Sequence, residues 1–180
     1  MRFTHATASI IGLAILSGCV LPTTITSNKS PTYKTEPKQI FVITDVGSEF
    51  GDEYFNAFQK KMTSITKDCG ANITMSRITP LELDESTHLK KIKEFNADSI
   101  ISIKRNGGTR DQYRLFHVIY DIKLLDVRSN KIIWRAETNF YRGGTIIPLQ
   151  ERGEALAIDI TNKMKEDKLF NNCKIIKQDK

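Results

Sequence analysis

The chain has 180 residues, of which 39% are hydrophobic and 27% are charged, and its formal net charge is +6 at pH 7. This length suits one domain with its own core. Beyond the first 18 residues, no apolar run approaches the roughly 20 residues that a membrane-spanning helix needs, which excludes a transmembrane helix there. The small basic excess favours anionic partners, such as lipid headgroups or acidic cell-wall polymer, without specifying one.

The N-terminal segment Met1–Gly18 is typical of an export signal. Arg2 precedes the short apolar run Ile10–Leu16, and small residues stand immediately before Cys19. A basic end, a short apolar segment and a small-residue cleavage site describe a secretory signal rather than a membrane span. Its removal leaves 162 of the 180 residues.

The cleavage site, Leu16-Ser17-Gly18-Cys19, resembles the bacterial lipobox. The resemblance implies that the sulfur of Cys19 receives a diacylglycerol before cleavage and that the new amino terminus is acylated as well, for example with palmitate. Several acyl chains hold a protein on a membrane far more firmly than one chain does. Val20, rather than Asp, after the anchor matches the pattern that sends enteric lipoproteins to the outer membrane, with the domain facing the periplasm. An ordinary secretory signal with a chance cysteine is the alternative.

Residues 19–38 are predicted to be the lipidated cysteine and a flexible tether. The segment Val20–Lys38 is polar, rich in Thr, Ser, Lys and Pro, and without periodicity. Fully extended, it would reach at most roughly 60–70 Å. The periplasmic domain is then expected over residues 39–175.

Hydrophobic periodicity in the domain predicts alternating strands and helices. Strict alternation over Tyr113–Leu125 and Lys131–Tyr141 predicts two half-buried strands. The other predicted elements are strand Gln39–Thr44, a helix from Asp52 to Gly70, a strand around Ile73 and Met75, helix Asp84–Phe95, strand Ser99–Ile103 ended by Asn106-Gly107-Gly108, and helix Leu149–Lys168. We therefore expect an α/β (α+β) sandwich, a mixed sheet of about five strands covered by three helices in the order β-α-β-α-β-β-β-α.

The two alternating strands constrain the loop between them. Their inward-facing residues fall on even numbers, namely Phe116, Val118, Tyr120, Ile122 and Leu124 in the first and Ile132, Trp134, Ala136 and Phe140 in the second. Antiparallel partners must therefore have numbers that sum to an even value. This predicts an odd loop, of about three or five residues, centred near Arg128-Ser129-Asn130.

Three cysteines are present, and assigning Cys19 to the anchor leaves Cys69 and Cys173. An even remainder in an oxidising compartment predicts a disulfide. Each of the two follows a predicted helix, so the bond would tie two helix ends together. Two buried free thiols are the alternative.

Basic residues flank the connection between the third and fourth predicted strands. They are Lys104, Arg105, Arg110 and Arg114, with Asp111 the only opposing charge, and Arg142 precedes the later pair Gly143-Gly144. If these strands form a meander, Arg142 lies at the same end of the sheet. We predict that this end docks on an anionic partner, either a protein or the cell wall, and loop solubility is the alternative.

No pattern makes a positive case for catalysis, a metal or another cofactor. His88 and His117 lack metal-ligand spacing and are expected at the surface. The acidic residues at the first strand–helix turn are Asp45, Glu49, Asp52 and Glu53. Their place suits a helix start better than an acid–base pair. We expect a non-enzyme without cofactors, and export argues against a nucleic-acid partner.

The hairpin residues resemble a group of periplasmic lipoprotein domains. The segments concerned are Ala97-Asp98-Ser99-Ile100-Ile101, Tyr120-Asp121-Ile122-Lys123-Leu124-Leu125-Asp126 and Asn130-Lys131-Ile132-Ile133-Trp134. Similar hairpins occur in LpoB-like activators of penicillin-binding proteins, in the periplasmic part of CsgG and in the amino-terminal domain of TolB. The resemblance implies a non-catalytic interaction module in an envelope assembly, serving cell-wall synthesis or secretion. The alternatives are an enzyme acting on the cell wall and a structural lipoprotein that forms homo-oligomers.

Overall fold

The computed structural model describes residues 23–48, 50–79, 86–110, 116–142, 147–171 and 173–177. The described residues do not include the export signal, Cys19 or Arg114. Within them the elements are β1 (Thr24–Lys29), β2 (Gln39–Thr44), α1 (Asp52–Asp68), β3 (Asn72–Arg77), α2 (Ser86–Glu94), β4 (Ser99–Arg110), β5 (Phe116–Asp126), β6 (Lys131–Tyr141) and α3 (Leu149–Glu166). None of the described helices is long and apolar enough to cross a membrane.

The strands form one mixed sheet in the order β1-β6-β5-β4-β2-β3. Strand β2 runs parallel to β3 and to β4, while β4, β5 and β6 form an antiparallel meander that β1 extends. The α/β class and the meander are confirmed. The sheet has six described strands instead of about five, because β1 precedes the expected first strand.

Strand β1 lies inside the segment predicted as a flexible tether. It pairs antiparallel with β6, from Thr24 opposite Asn139 to Lys29 opposite Trp134. The prediction of a flexible tether is therefore wrong for Thr24–Lys29. The Ser27 hydroxyl donates to the Asp167 carboxylate at 2.6 Å, and the Lys29 ammonium donates to the Lys168 carbonyl at 2.7 Å. Residues more than a hundred positions away hold this polar strand in place.

Helices α1 and α3 cover one face of the sheet and pack closely on each other. Their buried residues include Tyr54, Phe58, Met62, Leu156, Ile160 and Met164, and the sheet adds Ile40, Val42, Ile101, Ile122, Leu124 and Trp134. Side chains alternate along a strand, so Phe41 points to the opposite face, where its ring meets that of Phe95 at 6.3 Å. Phe95, which directly follows α2, thus covers β2 from the other side.

The β5–β6 hairpin confirms the predicted parity but not the predicted loop. His117 pairs with Tyr141 and Leu124 pairs with Trp134, so partner numbers sum to an even value. The turn 127–130 nevertheless has four residues. A β-bulge absorbs the difference, because the register shifts after Leu124 and Leu125 pairs with Ile132. Ile133 becomes buried, whereas Ile132, predicted to face inward, is 50% exposed.

Strand β4 contains a second bulge and ends later than the sequence predicts. The strand does not stop at Asn106-Gly107-Gly108 but continues to Arg110, with a register shift between Arg105 and Gly107. Gly108 has a φ of 118°, and a Cβ there would collide with the backbone of His117. Only glycine fits so close to the neighbouring strand.

A disulfide joins Cys69, which follows α1, to Cys173, with a Cα–Cα distance of 4.9 Å. It links the two cysteines that the sequence pairs. The segment after Cys173 is also held by α3. The Asn162 side chain exchanges two hydrogen bonds with the backbone of Ile176, and the Lys165 ammonium donates to the Lys174 carbonyl at 2.6 Å.

His88 was expected at the surface and is instead buried, with 6% exposed. Its Nδ1 lies 2.9 Å from the Ser76 hydroxyl, which connects α2 to β3. The expectation for His88 is therefore wrong, and the reason is that α2 turns this side of the helix towards the sheet edge. His117 is half-buried and stacks on Tyr141, with ring centroids 4.1 Å apart.

Candidate functional site

The structure separates the basic residues that the sequence grouped together. Lys104 is exposed and pairs with Asp121 across the β4–β5 ladder, well back from the hairpin end. Arg110 pairs with Phe116 at that end, and Arg142 follows Tyr141 at the same level. The meander thus brings Arg110 and Arg142 together, as predicted, but not Lys104. Binding of a partner here stays a prediction.

Arg105 has a structural role at the β4 bulge. Its backbone N–H donates to the Asp45 carboxylate at 2.9 Å, and its Nε–H donates to the Gly107 carbonyl at 3.1 Å. Nη2 adds a longer bond to the Gly108 carbonyl at 3.4 Å. Arg105 therefore stabilises the bulge and connects β4 to the end of β2.

The acidic residues of the first strand–helix turn are also engaged in the fold. Asp45 accepts the hydrogen bonds from Arg105, and Asp52 forms an ion pair with Arg77 at 2.7 Å. Glu49 lies outside the described residues. Among the described residues, no group of three or more His, Cys, Asp or Glu side chains is placed to hold a metal ion.

The opposite end of the sheet carries a groove that the sequence did not predict. It encloses about 790 Å³ between the segment that follows β1, the start of β4 and the β5–β6 turn. The residues that line it include Tyr33, Asp98, Ser99, Asp126, Val127 and Ile132. Val127 is 40% exposed and Ile132 is 50% exposed. Two apolar side chains therefore stand open to solvent beside polar ones.

Asp98 lines the groove and binds the backbone at the start of β2. One of its carboxylate oxygens, Oδ2, accepts the backbone N–H groups of Lys38 and Gln39 at 2.8 and 3.0 Å. The other oxygen, Oδ1, is buried and accepts no hydrogen bond from the described residues. Buried polar atoms normally find a partner, so Oδ1 is an unsatisfied acceptor beside the groove.

Tyr33 shows how strongly this groove disfavours further negative charge. The pKa of the Tyr33 phenol is raised to about 12, mainly by burial and secondly by the nearby carboxylate of Asp126. Asp98 makes a smaller contribution of the same sign as Asp126. The local field therefore favours a hydrogen-bond donor or a cation over an anion.

The sequence does not indicate the groove, because no local pattern predicts either of its two walls. One wall, which includes Tyr33 and Lys38, belongs to the segment predicted as tether. The other exposes Ile132 only because the bulge at Ile133 shifts the register. A signal was present in Val127, an apolar residue inside a polar turn. Single exposed apolar residues are common on protein surfaces, so Val127 alone does not indicate a groove.

Comparison with known proteins gives no family. No protein-family model matches the chain, and no curated protein matches it. Similar solved structures include the PelC dodecamer from Paraburkholderia phytofirmans, with 16% identity, a TM-score of 0.48, and coverage of 77% of this chain and 94% of that chain. Lipoprotein GNA1162 from Neisseria meningitidis follows with 14% identity and a TM-score of 0.41, over 72% of this chain and 99% of that chain.

A third similar structure is protein XCC0632 from Xanthomonas campestris, with 11% identity, a TM-score of 0.39, and coverage of 78% of this chain and 89% of that chain. At these identities and TM-scores the likenesses carry no conclusion about function. The resemblance to the LpoB-like, CsgG and TolB group stays a prediction.

Proposed function

We propose that this chain is an outer-membrane lipoprotein, anchored through Cys19, whose periplasmic domain is a non-catalytic protein-interaction module of an envelope assembly. The anchor is supported by the export signal and by Leu16-Ser17-Gly18-Cys19. The interaction role is supported by the groove, which combines open apolar side chains with an unpaired carboxylate oxygen.

One structural observation carries the proposal. Strand β1 begins at Thr24, near the anchor, and the groove starts at Ser30, beyond the other end of that strand. Six residues of extended strand span roughly 20 Å. The end of β1 that follows Cys19 in the sequence and the groove therefore lie at opposite ends of the sheet. This arrangement supports a domain that stands on the membrane and presents the groove to the periplasm.

The groove also indicates the chemistry of the partner. Val127 and Ile132 favour an apolar side chain, because covering them removes apolar surface from water. Asp98 and Asp126 favour a donor such as a backbone amide, a lysine or an arginine. We propose a protein segment that carries an apolar residue next to a basic or amide donor.

Site-specific photo-crosslinking in intact cells tests this function. A photoreactive amino acid at Ile132 is expected to give a discrete adduct with a second protein. The matched control is Leu89 on α2, which is 59% exposed and is not a groove residue. The same probe at Leu89 is expected to give no such adduct. Equal adducts at both positions, or none at Ile132, would contradict the proposal.

Asp98→Asn provides a second, nearly isosteric test. The amide oxygen can still accept the N–H groups of Lys38 and Gln39, but the NH₂ group replaces the unpaired acceptor with a donor. The Ile132 adduct should then weaken while the thermal midpoint changes little. An adduct that contains two copies of this chain would favour the self-assembling lipoprotein instead. Cys19→Ser is expected to release the protein from the membrane fraction.

A further inference from the structure

We infer that the hairpin end of the sheet, defined by Arg110, His117, Tyr141 and Arg142, rests on the anionic headgroups of the membrane that holds the anchor. The inference uses the Cys19 anchor of the proposed function and is independent of the groove. It assigns the basic end to a lipid surface rather than to the protein or cell-wall partner that the sequence left open.

The first step is the position of the N-terminus in the sheet. Thr24 pairs with Asn139 of β6, and Tyr141 and Arg142 follow two and three residues later. The β4–β5 hairpin ends at the same level, since His117 pairs with Tyr141 and Arg110 pairs with Phe116. The chain therefore enters the domain at the end of the sheet that carries these arginines.

The second step is the length of chain between the anchor and the sheet. Thr24 is five positions after Cys19, and five residue steps reach at most roughly 17 Å. The hairpin end lies about 10 Å beyond the level of Thr24, because each strand residue advances about 3.4 Å. When the strands are perpendicular to the membrane, a fully extended linker lifts Thr24 by at most roughly 17 Å above the level of Cys19. The hairpin end then lies no more than about 7 Å above that level. The Debye length in physiological salt is about 8 Å, so the arginines lie within the range of the surface charge.

The third step is the chemistry of this end. Arg142 lies over the ring of Phe140, 6.0 Å from its centroid, and the imidazole of His117 stacks on the phenol of Tyr141. Tyrosine is enriched at membrane interfaces, where its ring and hydroxyl meet apolar and polar layers. The carboxylates of Asp45 and Asp52 lie on the β2–α1 side of the sheet, where Asp45 accepts the backbone N–H of Arg105 and Asp52 forms an ion pair with Arg77. Arg110 and Arg142 place two basic residues at the end of the β4–β5–β6 meander, on the side of the sheet where the chain enters.

The test measures hydrogen exchange of the lipidated full-length protein in two kinds of vesicle. One is pure phosphatidylcholine, and the other contains phosphatidylglycerol. We expect slower exchange of residues 116–119 and 139–142 with phosphatidylglycerol, and loss of this difference in high salt. Each basic residue near an anionic surface strengthens association roughly fivefold. Arg110→Glu with Arg142→Glu should therefore abolish the difference between the vesicles.

Two controls separate the outcomes. Arg128→Glu with Lys131→Glu reverses two charges at the groove end and should leave the vesicle difference unchanged. A spacer of about ten Gly and Ser residues inserted after Val20 keeps the domain intact and should remove the difference, because the domain is no longer held against the surface. Equal exchange in both vesicles for the wild-type protein would overturn the inference.

The mass of the purified protein reports lipidation separately. A protein without lipid would overturn the anchor of the proposed function and this inference with it. A lipidated protein with no vesicle difference would overturn the inference alone. The photo-crosslinking result at Ile132 does not depend on either outcome.

Discussion

The indole N–H of Trp134 donates to the carboxylate of Asp167 at 2.6 Å, and it does so with only 1% of Trp134 exposed. The same oxygen accepts the Ser27 hydroxyl. Asp167 follows α3 directly, so a single carboxylate joins the edge strand β1, its neighbour β6 and the end of the last helix. This contact adds to the pairing with β6 in holding the N-terminal strand on the folded domain.

Replacing Asp167 with Ala is therefore expected to lower the free energy of unfolding by roughly 1–3 kcal/mol, because the buried indole N–H loses its acceptor. Ser27→Ala removes only one donor and should cost about 1 kcal/mol. Urea unfolding followed by tryptophan fluorescence measures both. Hydrogen exchange of Thr24–Lys29 should accelerate most in Asp167→Ala, and unchanged exchange there would show that Asp167 does not hold β1.

For Gly153→Ala, we expect a change in stability opposite in sign to the change that helix propensity predicts. In an exposed helix, Gly→Ala stabilises by about 1 kcal/mol. In α3, however, a Cβ at position 153 would collide with the Tyr54 carbonyl of α1 and lie 3.1 Å from the Phe58 nitrogen. We expect Gly153→Ala to destabilise by roughly 1–3 kcal/mol. Urea midpoints measure the effect, and Lys60→Ala, at an exposed position of α1, is the control that should change little.

The disulfide should contribute to stability through its long loop. Cys69 and Cys173 are 104 positions apart. Closing a loop of this size stabilises the folded state by roughly 4–5 kcal/mol in the chain-entropy model, and measured values are often smaller. The double variant Cys69→Ser, Cys173→Ser should unfold at lower urea and be insensitive to reductant. Reduced wild-type protein should match it. A wild-type midpoint that reductant does not move would show that the bond does not form.

Much of the fold follows from the sequence because its signals are local. Alternation in β5 and β6 identifies both strands and, apart from Ile132, their inward faces, and helical spacing identifies α1 and α3. The edge strand β1 lacks such a signal, since Thr24–Lys29 contains a single apolar residue, Ile25. Its position depends on Asp167 and Lys168, which no local pattern connects to it.

The groove could not be predicted for a related reason. A β-bulge is a property of two paired strands, and nothing within β6 alone says that Ile133 will turn inward and Ile132 outward. The contacts of Arg105 could not be predicted for the same reason. At the β4 bulge its guanidinium donates to the carbonyls of Gly107 and Gly108, which no pattern within β4 indicates.

The groove tyrosine should make the domain sensitive to alkaline pH. The pKa of Tyr33 is raised from 10.0 to about 12, chiefly by burial, so the folded state holds the phenolic proton more tightly than the unfolded state. This stabilising contribution is complete below about pH 10 and is lost as the pH rises through about 12. Burial also raises the pKa of Tyr54 and of Tyr120, so the free energy of unfolding should fall over this range.

Tyr33→Phe isolates the contribution of the groove. The variant cannot lose a phenolic proton at this position, so its stability should fall less steeply than that of the wild type between about pH 10 and pH 12. Urea unfolding at each pH measures the difference, and the values at about pH 8 give the cost of the lost hydroxyl alone. Parallel decline of the two proteins would show that the Tyr33 phenol is not held neutral by its burial beside Asp126.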